Sequence, residues 1–144
     1  MWAGSLAING LLNGGAEVAW CVHPMEHELS AFYDITHGEG LAILTPVWMS
    51  FVLKKDPSKT GQLAAYGRSV WGLSGEDQEV AQAAIDKTAQ FFFETMGMPK
   101  NLREVGITEK THFEEMAAKA EAGCHGSFVP LTKEDIVSIY EAAF

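Results

Sequence analysis

Residues 20–40 read WCVHPMEHELSAFYDITHGEG, and the rest of the chain is arranged to hold them. Three of the five histidines (His23, His27 and His37) stand here with Glu26 and Asp34. The spacing predicts a helix from about Ala16 or Val22 to Asp34, with Pro24 in its first turn, where a missing N–H costs nothing. Gly38 and Gly40 are expected to break the chain after it. His23 and His27 are four residues apart, so on a helix they share a face, about 5–6 Å apart at Cβ. His37 follows His23 by fourteen residues, about 21 Å on an unbroken helix at 1.5 Å per residue. Two ligands of one ion, each at about 2.0–2.1 Å, cannot be that far apart. They can share an ion only if the helix ends between them and the chain folds back. Asp34-Ile35-Thr36 and Gly38 supply material for such a turn. The spacing permits a shared site without demanding one.

Working outward, helical periodicity continues in both directions. Trp2, Leu6, Ile8, Leu11 and Leu12 predict a helix over 2–13, stopped by Gly14 and Gly15. Residues 41–53 are apolar almost all round, which predicts a buried helix with a bend before Pro46. After a turn at 54–58, a helix over 59–71 places Leu63, Tyr66 and Val70 on one face. Ser74 with Asp77 spells a capping box that opens a long helix to about Met96. Along it Val80, Ala84, Thr88 and Phe91 form an i, i+4 stripe, widened by Phe92 and Phe93. Thr111 with Glu114 repeats the capping-box spelling before HFEEMAAKAEAG, ended by Gly123. Thr132 with Asp135 does so before a last helix to Tyr140 or Ala142. No stretch alternates with period two, and no Asn-Gly hairpin turn occurs. The fold class is all-α, and the chain of 144 residues fits one domain with a core of its own.

Composition narrows the function classes. A formal net charge of −9 disfavours nucleic acid and anionic lipid as partners, since both need basic surface. The apolar run LAILTPVWMSFVL is shorter than the roughly 20 residues that cross a bilayer. The start lacks the basic segment of a secretory signal. Two cysteines, Cys21 and Cys124, allow at most one disulfide, and a reducing cytoplasmic setting is expected. The apolar residues at 2–12 and 41–53 are expected to leave exposed surface that drives self-association, making a homo-oligomer.

The histidine pair admits more than one chemistry. Imidazole suits both zinc and iron, but it also lines or caps buried surface. His23-Pro-Met-Glu26-His27 fits H-x-x-E-H, the inverted zinc-peptidase pattern in which both histidines bind zinc and the Glu is general base. Five residues are few enough for that spelling to arise by chance, and no further carboxylate is singled out as a third ligand. His112, in a helix first turn beside Glu114 and Glu115, is expected to be exposed. Cys124 and His125 are adjacent on a loop, weak material for a metal pair. Trp20, Trp48, Trp71 and Phe91–Phe93 are expected in the core.

The longer run VHPMEHELSAFYDITHGEGLAILTPVWM resembles the histidine-bearing segment of the iron-containing (group III) alcohol dehydrogenases, and within them the bacterial NAD(P)H-dependent butanol dehydrogenases. That segment has H-x-x-x-H with a third His ten positions on, followed by Gly, as His23, His27 and His37-Gly38 are here. SLAINGLL and PLTKEDIVSIYEAA are similar to the family too, so the resemblance covers essentially the whole chain. It implies a helical bundle like the carboxy-terminal metal-binding domain of iron-type alcohol dehydrogenases, a dehydroquinate synthase-like helical domain. It implies that His23 and His37 bind a divalent ion, Fe²⁺ or Zn²⁺, and that His27 faces the nicotinamide and substrate. The implied reaction is reversible hydride transfer between a primary alcohol or aldehyde and NAD(H) or NADP(H). Glu26, about 100° round the helix from His27, is expected to face solvent or to stand behind a ligand.

Two of the family's parts are not spelled here. Its other metal ligands come from an Asp-x-x-x-His pair, and no Asp-x-x-x-His occurs in these residues. No Gly-rich turn follows a strand to cradle dinucleotide phosphates. The expectation is a partial carboxy-terminal α-helical domain over 1–144, with its nucleotide-binding domain missing, inactive alone. The rival reading is a non-catalytic truncated helical module.

Overall fold

The reversal that the histidine spacing requires lies at Asp34–Thr36. The structure is a computed structural model that describes residues 2–11, 14, 20–126 and 128–144. Helix α1 spans Trp2–Ile8, and α2 spans Val22–Tyr33. Asp34 closes α2 at φ 52° and ψ 37°, its N–H bonded to the Ser30 carbonyl. It is the single non-glycine residue with positive φ among those described. A short polar side chain tolerates the left-handed conformation better than most. Thr36 is extended, and α3 (His37–Lys55) starts directly after it.

Gly38 and Gly40 therefore do not break the chain, contrary to expectation. Both lie in the first turn of α3. The reversal is complete by Thr36, and Gly40 serves another purpose: a Cβ there would stand 2.7 Å from Glu26 Cγ. α3 runs on through Pro46. Its apolar circumference is covered as the periodicity predicts, and no residue from 41 to 53 is exposed. The exposed surface expected for this stretch is absent because other helices close on α3 from several sides.

α4 (Thr60–Trp71), α5 (Asp77–Gln90), α6 (Phe113–Ala120) and α7 (Lys133–Ala143) complete the all-α fold. No strand occurs among the described residues. One core gathers Met25 and Leu29 of α2, Ile43 and Leu44 of α3, Met116 of α6 and Ile139 and Tyr140 of α7. A second gathers Met49 and Leu53 of α3 with Leu63 of α4 and Val80 and Ile85 of α5. α3 is the helix common to both. The Tyr140 hydroxyl, buried, donates to the Met25 carbonyl at 2.7 Å and ties α7 to the motif helix.

Of the three capping-box spellings, only the last forms. Thr132 and Asp135 exchange both bonds at the start of α7. α5 starts at Asp77 behind an extended Glu76, leaving Ser74 outside, and Asp77 pairs with Arg68 at 2.8 Å. α6 starts behind His112; Thr111 donates to Glu109, and Glu114 pairs with Lys133 at 2.5 Å. In both places a cation or a nearer acceptor has taken the carboxylate or hydroxyl from the backbone. The helix expected to reach Met96 changes pitch at Phe91, where a wider π-type turn runs to Thr95 and Met96 N–H reaches the Phe91 carbonyl. Phe91 is exposed there rather than buried, which shortens the predicted stripe.

α1 buries none of its residues, and Trp2, Ile8 and Leu11 are exposed. That agrees with exposed apolar surface at the start of the chain; Leu12 of the same predicted helix lies outside the described residues. No described helix is long and apolar enough to cross a membrane.

Candidate metal centre

Two helices bring the three histidines together. His23 and His27 project from successive turns of α2, their ring centroids 6.0 Å apart. His37 is the first residue of α3, and the reversal lays its ring 5.3 Å from His23 and 5.4 Å from His27. The three imidazoles thus form a near-equilateral triangle at the mouth of the α2–α3 corner. His27 and His37 are exposed and His23 is half-buried. The His23 pKa is lowered, first by burial and then by the facing His37 and His27 rings, with Glu26 opposing. A neutral imidazole with an available lone pair is the form that ligates a metal.

Glu26 occupies the rear of this triangle. It is fully buried, which overturns the expectation of a solvent-facing carboxylate. The offset that turns it from His27 aims it at the start of α3. One carboxylate oxygen accepts from the Ser30 hydroxyl at 2.5 Å; the other meets His37 Nδ1. Gly40 leaves the room: a Cβ there would also lie 2.9 Å from the Glu26 carboxylate and 3.1 Å from Ile35 Cδ1. Donor atoms of Glu26, His27 and His37 lie within 4.8 Å of one another, so geometry alone offers this set beside the His23 and His37 pair.

A largely apolar cleft of about 520 Å³ opens beside His23, walled by Leu41, Trp48, Phe92, Met98 and Phe128 among others. Trp20 borders it, 42% exposed and edge-on to the His23 ring at 4.7 Å. It is not in the core: it stands at the rim of the cleft against His23, contrary to expectation. Phe92, within the π-type turn, and Met98, just after it, both reach the cleft, and nothing in their spacing announced it. Glu26, Ser30 and Gly40 carry a weak signal: the Glu and Ser are four apart on one helix.

The other candidates do not join this site. His112 is half-buried, not exposed, with its ring 4.9 Å from Phe32 and 5.9 Å from Tyr33. Cys124 is buried with its thiol on the Cys21 carbonyl at 3.5 Å, while His125 is exposed. Cys21 and Cys124 form no disulfide.

The donor set fits a borderline divalent ion. Imidazole nitrogens suit Fe²⁺ and Zn²⁺, and a carboxylate on the far nitrogen of a ligating histidine is the usual arrangement behind such an ion. Residues 1–144 match the family described as "Fe-containing alcohol dehydrogenase family, C-terminal". The chain belongs to this family. It is 47% identical over its full length to NADH-dependent butanol dehydrogenase A of Clostridium acetobutylicum, and covers 37% of that protein. It is 36% identical, over 74% of its length and 27% of the relative's, to the NADPH-dependent aldehyde reductase YqhD of Escherichia coli. The crystal structure of NADH-dependent butanol dehydrogenase A from Thermotoga maritima superposes with a TM-score of 0.83 at 28% identity, over 99% of this chain and 37% of that one. The chain thus spans 37% of the length of the butanol dehydrogenases that it matches. Membership in the Fe-containing alcohol dehydrogenases accounts for the all-α architecture and for a histidine-rich corner suited to a metal.

Proposed function

We propose that this chain is the helical, metal-binding part of a cytoplasmic NAD(P)-dependent dehydrogenase that interconverts a primary alcohol, such as butanol, with its aldehyde. The observation that carries the reading is the convergence of His23, His27 and His37 beside an apolar cleft. His23 and His37 hold the divalent ion, Fe²⁺ or Zn²⁺. His27, exposed on the next turn of α2, faces the nicotinamide and substrate, where an imidazole shapes the pocket and relays the alcohol proton. Leu41, Trp48, Phe92 and Met98 receive the alkyl chain and exclude water from it. When bound, the ion supplies Lewis-acid polarisation of the carbonyl oxygen and the dinucleotide supplies the hydride. With no Asp-x-x-x-His among its residues, this chain brings two imidazoles to the ion and binds it weakly alone.

The zinc-peptidase reading is not retained. A general base must reach a metal-bound water, and Glu26 is buried with both oxygens turned to Ser30 and His37.

Co²⁺ titration of the chain, followed by its visible absorption, tests the ligand assignment. His23→Ala and His37→Ala should each weaken binding by about tenfold or more, and His27→Ala should leave it within about twofold. Loss of binding in His27→Ala equal to that in His23→Ala would overturn the assignment. In an NAD(P)H-dependent butyraldehyde assay the chain alone should show no turnover. Robust turnover would show that it carries a complete site, and persistent Co²⁺ binding after both His23 and His37 are replaced would favour a non-catalytic helical module.

A further inference from the structure

Glu26 is the group that the reaction does not use and that the fold takes most trouble to accommodate. A buried carboxylate is costly unless its oxygens are hydrogen-bonded or paired. Among the described residues its only ion-pair partner is His37, and its other hydrogen-bond partner is Ser30. Ser30 Oγ also lies 3.2 Å from the Ile35 carbonyl, so the same hydroxyl touches both the carboxylate and the reversal that delivers His37. The first turn of α3 then carries two glycines with opposite surroundings. A Cβ at Gly38 would meet only Met98 Cε, at 3.9 Å, an ordinary contact. A Cβ at Gly40 would lie 2.7 Å from Glu26 Cγ and 2.9 Å from its carboxylate, closer than real contacts allow. The α2–α3 corner is shaped around this side chain.

We propose that Glu26 is a positioning residue: seated against Gly40 and braced by Ser30, its carboxylate accepts from His37 Nδ1–H and so presents His37 Nε2 to the metal centre. This deepens the proposed function and rests on His37 being a ligand. An imidazole held at Nδ1 by a carboxylate is fixed in one tautomer and one ring orientation, and its free nitrogen becomes a better donor. Direct ligation by Glu26 with His27 and His37 is the competing arrangement. The donor atoms of these three residues lie within 4.8 Å of one another, and in that arrangement the Glu26 oxygen would bind the ion itself instead of accepting from His37 Nδ1–H.

Two readouts on the full chain separate these roles. In the metal-free protein, ¹⁵N–¹H NMR of labelled histidine reports which nitrogen of His37 carries the proton. In the titrated protein, Co²⁺ absorption and X-ray absorption report affinity and the donor atoms. His37 should be protonated at Nδ1. Glu26→Ala should abolish that preference and weaken Co²⁺ about 10–100-fold. Glu26→Gln, which keeps an acceptor oxygen, should preserve the tautomer and recover part of the affinity. Gly40→Ala should act in the direction of Glu26→Ala through displacement of the carboxylate, whereas Gly38→Ala should leave tautomer and affinity as they were. The Gly pair keeps the test open if Glu26→Ala fails to fold. The inference is overturned if Glu26→Ala or Gly40→Ala keeps both tautomer and affinity, or if a carboxylate oxygen appears among the Co²⁺ donors. If the unmodified chain binds Co²⁺ no better than the His23→Ala/His37→Ala double variant, the proposed function fails first. A His37 tautomer still set by Glu26 would then identify the contact as purely structural.

Discussion

Gly67 sits at the closest approach of α4 to α5, where a Cβ would lie 2.9 Å from Ala84 Cβ, 3.0 Å from Val80 Cγ1 and 3.1 Å from the Val80 carbonyl. Two effects compete in Gly67→Ala. Helix propensity favours alanine by about 1 kcal/mol, while overpacking a tight contact costs about 1–3 kcal/mol. The neighbours are a helix backbone and two short side chains, none of which can swing aside, so the second effect wins. Urea denaturation should show Gly67→Ala destabilised by about 1–2 kcal/mol. Gly61→Ala, whose Cβ would meet only Asp77 at 3.7 Å, should be unchanged or slightly more stable. Equal midpoints for the two variants would show that α4 can move away from α5. A sequence read alone gives both glycines the same unfavourable mark for a helix interior.

Asp135 makes the start of α7 a pH-sensitive cap. Burial alone would raise its pKa, but hydrogen bonds from Lys55 and from the Thr132 backbone and hydroxyl outweigh it and hold the carboxyl below its ordinary 3.8. A carboxyl whose pKa is lower folded than unfolded stabilises the fold above its ordinary value and loses that contribution as pH falls through the folded one. Asp135→Asn should therefore lower stability at pH 7 by about 0.5–2 kcal/mol, the range for a lost cap. The gap from wild type should shrink as pH drops below about 4. Thermal melts at pH 7, 5 and 3 check this; a gap that widened in acid would refute it. The same S/T-x-x-D/E spelling at 74–77 and 111–114 forms no cap. It records which atoms could bond, while Arg68 and Lys133, distant or on another helix, decide which do.

α1 stands apart from the rest of the molecule in its burial. The two cores are built from α2 to α7 and the segments between them, and Trp2 is 83% exposed. Removing residues 2–11 should leave the free energy of unfolding within about 1 kcal/mol of the intact chain's, since surface changes rarely cost more than half of that. The same apolar residues should drive association, as exposed patches of several hundred Å² do. Light scattering across a concentration series should give a mass above the monomer for the intact chain and a smaller one after the deletion. A strict monomer for the intact chain, or a large loss of stability after deletion, would contradict this account.

Helical period, the all-α class, the cap at Thr132 and the shared face of His23 and His27 could be read along the chain. Each depends on residues within about one turn of one another, where spacing alone fixes direction. The resemblance of H-x-x-x-H and the later His-Gly to one family extended that reading to His37. The approach of helix to helix could not be read, because it depends on what a distant segment places opposite. Asp34 closes α2 in a left-handed conformation, α3 starts at once, and the two glycines expected to break the chain are absorbed into its first turn. Glu26, 100° round from His27 by helix geometry, meets the interior rather than water because α3 crosses at that angle. Gly40 is a close-contact glycine chiefly because Glu26 is there to be touched.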